Sequence, residues 1–283
     1  MTTPDDKNEH LDRAQLQAQI DAVDWYHEFD FGDGLRAVTK SQAQDHREIW
    51  RFIETNLARI DFSGRSVLEI GCWDGYWSFY AEKRGAREVL ATDDTTQNWA
   101  NGRGIHLAKQ LLNSSIAIDQ SISIYEASKL NRTFDIVLCL GVYYHLIDPF
   151  AGFAELRHCT HPDTIVVFEG DATLSLRPDT FLWDPSDSAK SAFVPTPAGL
   201  RQMLRAAYFD VESQVWMRPT PRWGLSMTTI NPLSVPALVE PTSLKPLKHR
   251  DRMVTIARPF EGENPLHPYK PPFALWRYDP RFG

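Results

Sequence analysis

Val67-Leu68-Glu69-Ile70-Gly71-Cys72-Trp73-Asp74-Gly75 is an apolar strand that runs into a turn punctuated by glycine, and Asp93 ends a second apolar run about one βα unit later. Gly71 and Gly75 bracket a turn where backbone must approach a ligand closely, which residues without a Cβ do at no steric cost. Glu69 and Asp93 place carboxylates at the carboxyl ends of two strands, the edge at which open α/β sheets bind ligands. The dinucleotide fingerprint Gly-x-Gly-x-x-Gly is not met, because Trp73 stands at the middle position and Asp74 adds an acid. A pyrophosphate would meet bulk and negative charge there rather than open amides. The pattern therefore predicts a cationic, phosphate-free nucleoside, with Glu69, Gly71, Cys72, Trp73, Gly75, Asp93 and Asp94 around it. On this stretch alone the plainer alternative stays open: turn glycines and a surface carboxylate in an ordinary α/β domain.

A second segment shifts the balance. Phe134-Asp135-Ile136-Val137-Leu138-Cys139-Leu140-Gly141 reads as a fully buried parallel strand. It ends in Val142-Tyr143-Tyr144-His145-Leu146-Ile147-Asp148-Pro149, which sets two phenols and an imidazole just past a strand's carboxyl end. Further strands are predicted at Ser66 to Ile70, Glu88 to Thr92, Ser121 to Tyr125, Thr164 to Glu169, Asp210 to Met217 and Met253 to Ala257. Helical segments fall near Trp77 to Arg84, Ala100 to Leu112, Phe150 to His158 and Pro197 to Ala207. This alternation predicts an α/β fold with a doubly wound, mostly parallel seven-stranded sheet.

The combination of Glu69-x-Gly71-x-x-x-Gly75, Asp93 and Gly141-Val142-x-Tyr144-His145 resembles the class I S-adenosylmethionine-dependent methyltransferases. Within them it is similar to the tRNA wobble-uridine carboxymethyltransferase family and its small-molecule-modifying relatives. The similarity covers about Ser66 to Val215. It implies a Rossmann-like methyltransferase fold, S-adenosylmethionine as cofactor, and a pocket place for Tyr144 and Gly141. It also suggests Glu126, an acid after the third strand, for the adenine end. The departure is Trp73, where the family's first motif has its middle glycine. That family's lysine in a Trp-Arg-Lys-Gly-Pro-like segment, which recognises an extra cofactor carboxylate, has no counterpart here.

The predicted organisation is a helical N-terminal cap over 1–62, a core over 63–258 with long insertions at 171–195 and 219–250, and a tail over 259–283. Helical periodicity runs from Leu11 to Val23 and from Asp45 to Ile60. The intervening linker, Asp24 to Gly34, is too aromatic for a plain spacer. Long loops are commonly functional or disordered, and the aromatics of the 171–195 insertion, Phe181, Trp183 and Phe193, favour a lid over a pocket. The tail is also aromatic, unlike disordered termini, and is expected to wrap the core.

The chain has 283 residues and 42% hydrophobic content, enough for one domain with elaborations. No stretch reaches the length of a membrane span, and the polar start is no signal peptide; a soluble, cytoplasmic protein is expected. Three cysteines imply no disulfide framework, and His158-x-x-His161 lacks the further ligands of a metal site. The net charge of −7 carries no core Lys/Arg cluster, which disfavours tRNA as partner. Lys245, Lys248, His249, Arg250 and Arg252 are read as a solvated loop.

A sulfonium methyl is already activated, so the remaining work is alignment, worth roughly 7–11 kcal/mol, and removal of a proton, worth about 10²–10⁴ in rate. His145 and His27 are the candidate bases; each has a structural alternative, as a loop-ordering or exposed histidine. Trp25, Tyr26, Tyr143 and Glu169 are candidate substrate contacts, with a core role open for Tyr143 and plain loop solvation open for Glu169 and Asp171. Aromatic faces at Trp73, Tyr76 and Tyr144 could stabilise a sulfonium. The expected activity is methyl transfer to oxygen or nitrogen of a small-molecule acceptor. Two alternatives stand beside it: a tRNA wobble-uridine modifier, and a non-catalytic scaffold.

Overall fold

The structure is a computed structural model that describes residues 13–39, 43–96, 102–175, 177–184, 191–217 and 250–283. In chain order the elements are α1 (Arg13–Asp21), β1 (Phe29–Gly32), β2 (Leu35–Ala37), α2 (Ala43–Leu57), β3 (Ser66–Ile70), α3 (Tyr76–Lys83), β4 (Glu88–Thr92), α4 (Arg103–Leu111) and β5 (Ala117–Asp119). They continue as β6 (Phe134–Leu140), α5 (Pro149–Arg157), β7 (Thr160–Thr173), β8 (Phe181–Trp183), β9 (Phe193–Pro195), α6 (Pro197–Ala206), β10 (Phe209–Trp216) and β11 (Arg250–Pro259).

Seven strands form the central sheet in the order β10-β11-β7-β6-β3-β4-β5. Pairings from β7 through β5 are parallel, and β11 is antiparallel to both β7 and β10. Every residue of β3 is buried, as a strand covered on both faces requires. Alternate side chains feed two cores. Val67, Ala91, Leu138 and Val254 meet α2, α3 and α4 through Ile53, Phe79 and Ile105. Leu68, Val137, Phe168 and Met253 meet α5 and α6 through Phe153 and Leu200. The sheet is thus doubly wound, as its sequence periodicity predicts.

Three expectations need correction. The third strand is Ala117–Asp119, whereas the segment read as Ser121 to Tyr125 passes Ile122 along the cavity and enters a 3₁₀ turn over Ile124–Leu130 that buries Ile124 and Ala127. The apolar spacing there serves packing on that turn. The cap is not wholly helical either, since its aromatic linker contains the β1–β2 hairpin. Asp33 and Gly34 both have positive φ at its two-residue turn, the backbone that tight hairpins demand. Third, β11 begins at Arg250, so Arg252 lies in the sheet and not in a solvated loop. Lys245, Lys248, His249, nearly all of the 219–250 insertion, and the starts of the segments read from Leu11 and Ala100 lie outside the described residues.

The insertion at 171–195 carries the end of β7 and the β8–β9 hairpin, which seats Phe193 in the core. After β11 the chain runs back over α5, α6 and β10. Asp279, almost fully buried, accepts hydrogen bonds from the Tyr208 hydroxyl (2.9 Å), the Asn264 amide (3.0 Å) and Arg281 Nη2 (2.7 Å). His158 bonds Tyr278 and the Phe273 carbonyl at 2.8 and 2.7 Å. The Arg281 hydrogen bond, outweighing burial, holds the Asp279 carboxyl far below its usual range. A group depressed in the folded state stabilises above its unfolded pKa, and that contribution fades as pH falls toward the folded value. Asp279→Ala should cost at least the roughly 1–3 kcal/mol of stranding the buried Tyr208 hydroxyl. Urea unfolding at pH 7 should read that loss, and the gap to the native protein should narrow below pH of about 4.

Candidate active site

The chain leaves β3 for β4 and β5 on one side and returns to β6 on the other, so the loops after β3 and β6 part at a crevice. Such a switch point is where doubly wound sheets hold ligands. Gly71 there has φ +72°, and a Cβ on it would lie 2.6 Å from Val142 Cγ2 across the crevice. Only glycine lets the two loops come this close. The crevice opens into a cavity of about 720 Å³, within the range of small-molecule sites.

The turn after β3 keeps its amides for itself. Gly71 and Cys72 both donate to the Thr92 carbonyl (2.9 and 3.0 Å), Trp73 donates to Asp93 Oδ2 (3.2 Å) and Gly75 to the Cys72 carbonyl (2.7 Å). Little of the turn is left to cradle a phosphate. Trp73 has φ +54°, so it adopts the left-handed backbone of the glycine it replaces, at a cost of about 1–2 kcal/mol. The Asp93 bond to its amide helps hold it there. Glu69, Asp93 and Asp94 line the cavity, giving an acidic floor that suits a cationic nucleoside. These residues fit S-adenosylmethionine: carboxylates at two strand ends for hydroxyl and ammonium groups, and a glycine where backbone must be close. Burial, reinforced by Asp74 and Asp93, raises the Glu69 carboxyl to about 8 against the opposing hydrogen bond from Ser78.

Asp74, the acid of the turn, faces the cap. Its Oδ2 accepts from the Tyr26 and His27 amides (3.0 and 2.8 Å), and its Oδ1 lies 2.6 Å from His27 Nδ1. His27 is itself buried, stacked on Tyr76 at 4.8 Å and 16°. With the carboxylate holding Nδ1–H, Nε2 is the basic nitrogen of this imidazole.

The far end of the cavity is built by the cap, the turn after β6, and strands β7 and β11. Arg252 forms a bidentate pair with buried Glu169 (2.7 and 2.7 Å) and reaches Asp171 at 3.2 Å. Its guanidinium carbon lies 4.8 Å over the Tyr144 ring. Burial opposes this charge, and Glu169 with its neighbours outweighs it, keeping Arg252 firmly protonated. Burial also raises the Tyr26 and Tyr144 phenols, so both stay protonated donors at neutral pH.

Of the residues expected from sequence, Tyr26, His27, Glu69, Gly71, Cys72, Trp73, Asp93, Asp94, Gly141, Tyr144, His145 and Glu169 line this one cavity. Others do not. Trp25 is core, its indole donating to the Ile20 carbonyl. Tyr143 is fully buried and donates to the Asp171 carbonyl at 2.9 Å. Gly75 packs under Ile105, Tyr76 backs His27, and Glu126 pairs with Lys129 on the surface. Sequence reasoning missed Trp50, Trp77, Ser123 and Arg252 in the lining. Arg252 had one available signal: it sits directly before an apolar strand, one position from Met253.

The Glu69 shift has a consequence for stability. A carboxyl raised in the folded state adds stability that is complete below its unfolded value near 4.5 and is lost as pH rises toward 8. Glu69→Gln should therefore gain on the native protein with rising pH, by up to about 1.4 kcal/mol per pH unit. Thermal or urea unfolding between pH of about 5 and 8 reads this slope.

Comparison with known proteins agrees with this geometry. The methyltransferase domain family matches residues 41–214. A tRNA U34 carboxymethyltransferase of Methylococcus capsulatus is 30% identical over 178 residues, covering 60% of this chain and 52% of that protein. One from Nautilia profundicola is 26% identical over 172 residues, covering 56% and 53%. The chain thus spans about half the length of the curated relatives it matches. The crystal structure of the N-terminal domain of EvdMO1 with SAH bound superposes with a TM-score of 0.58 at 15% identity, covering 88% of this chain and 98% of that one. Seven-stranded sheet, acidic glycine turn and family match converge: the chain belongs to the methyltransferase domain family, on the class I S-adenosylmethionine-dependent fold.

Proposed function

We propose that this protein transfers the methyl group of S-adenosylmethionine to an oxygen or nitrogen of a small molecule. The observation that carries the reading is the single cavity that joins the acidic glycine turn to the Tyr26, Tyr144, Glu169 and Arg252 cluster. S-adenosylmethionine supplies a methyl group already activated by its sulfonium. Asp93 and Asp94 would accept from its ribose hydroxyls, Glu69 would face its amino-acid end, and the faces of Trp73 and Tyr144 would favour its positive charge by about 0.5–2 kcal/mol. The cap, pinned by Asp74, excludes water and brings Tyr26 over the acceptor. His27, oriented through Nδ1, takes the acceptor's proton at Nε2. His145, exposed and 4.1 Å from the Tyr144 ring, serves the mouth of the cavity.

A second reading, tRNA wobble-uridine modification, is favoured by the names of the matched relatives. The net charge of −7 weighs against it, because binding a polyanion draws on clustered Lys and Arg.

Calorimetric titration should give micromolar binding of S-adenosylmethionine and S-adenosylhomocysteine, lost in Asp93→Ala. A well-folded protein that binds neither would overturn the reading and leave a scaffold. Copurifying RNA released steeply by salt would turn it toward the tRNA modifier. With an acceptor in hand, His27→Gln should lower turnover by about 10²–10⁴ and leave S-adenosylhomocysteine affinity within about threefold; unchanged turnover would remove His27 as base.

A further inference from the structure

The cavity is charged in a way that restricts its acceptor. Glu169 is fully buried, and Arg252, its partner, spends Nε and Nη2 on it and Nη1 on Asp171. Asp171 is held in turn by the Ser191 hydroxyl at 2.9 Å. One cation against two carboxylates leaves this cluster with a net negative charge. Among the described lining residues Arg252 is the one lysine or arginine, whereas Asp93, Asp94 and Glu169 are acids beside the largely neutral Glu69. An anionic acceptor would enter a low-dielectric space of like charge and find three of the guanidinium's five N–H donors already committed to carboxylates.

The mouth has the opposite character. Tyr125 and Ile147 line it and are 40% and 57% exposed. Trp183, 56% exposed on the β8–β9 hairpin, donates its indole N–H to the Ile147 carbonyl at 3.1 Å and so is fixed beside that rim. Large apolar side chains held exposed at a cavity mouth suit a ligand that brings apolar surface of its own.

We propose that the acceptor is an arylalkylamine: a cationic ammonium head drawn to the Glu169–Asp171–Arg252 cluster, on a flat apolar body held by Trp183, Ile147 and Tyr125. The proposal rests on reading this cavity as a methyl-transfer site and names its substrate class. The same charges disfavour carboxylates and phosphates beside the Glu169–Asp171–Arg252 cluster. Tyr26 and Tyr144, protonated phenols at that end, orient the head group.

The test compares two probes of like shape and opposite charge, tryptamine and indole-3-acetate, by calorimetry with and without saturating S-adenosylhomocysteine. Tryptamine should bind at least tenfold more tightly. Asp171→Asn, which leaves the bidentate pair intact, should shrink that ratio at least threefold. Glu169→Gln should do the same if thermal melting shows it folded. Trp183→Ala should weaken tryptamine without changing S-adenosylhomocysteine affinity. Indole-3-acetate binding as tightly as tryptamine, or no tryptamine binding at millimolar concentration, overturns the proposal while S-adenosylhomocysteine binding leaves the cofactor reading standing. Absence of S-adenosylhomocysteine binding overturns both.

Discussion

The Asp74 carboxylate joins two parts of the chain that are far apart in sequence. It accepts two backbone amides and one imidazole from the cap while belonging to the turn that ends β3. A buried carboxylate without such donors would be strongly unfavourable, so cap and turn need each other. Tyr26 and His27 reach the cavity because of this anchor. Trp50 on α2 follows, packed edge-on to Tyr26 at 5.8 Å. The cap is therefore part of the site's wall.

A shared logic of charge runs through the rest of the cavity. Its acids are placed at strand ends by topology, and the protein tempers each one differently. Asp93 is satisfied by the Trp73 and Asp94 amides, Glu69 by neutralisation, and Glu169 by a bidentate arginine. Each device lets an acid persist out of bulk water. Together they leave a cavity suited to a ligand that carries positive charge.

Much of this was legible in the sequence. Strands β3, β4 and β6 match their expected limits because parallel strands buried over most of their length are largely apolar runs, with turn residues on either side. The glycine turn, Asp93 and Tyr144 were legible for the same reason: they stand at the ends of such runs. The third strand was misplaced because β5 is short and half exposed, while Ile122 and Ile124 alternate for another purpose. Asp74 was read as a barrier to phosphate, yet its partners Tyr26 and His27 are about fifty residues earlier, a separation no local pattern carries. Arg252 was taken for solvent-exposed because a cation beside a basic run looks solvated, and its two carboxylate partners are supplied by a different strand.

The position of β11 between β7 and β10 sets an order on the making of this protein. Every cavity residue near the glycine turn is encoded before His145, and Glu169 soon follows, but the arginine that neutralises Glu169 comes from the last strand of the chain. Glu169 on β7 is therefore paired only once β11 has docked beside it. The antiparallel strand that fills the sheet between β7 and β10 thus also completes this end of the pocket.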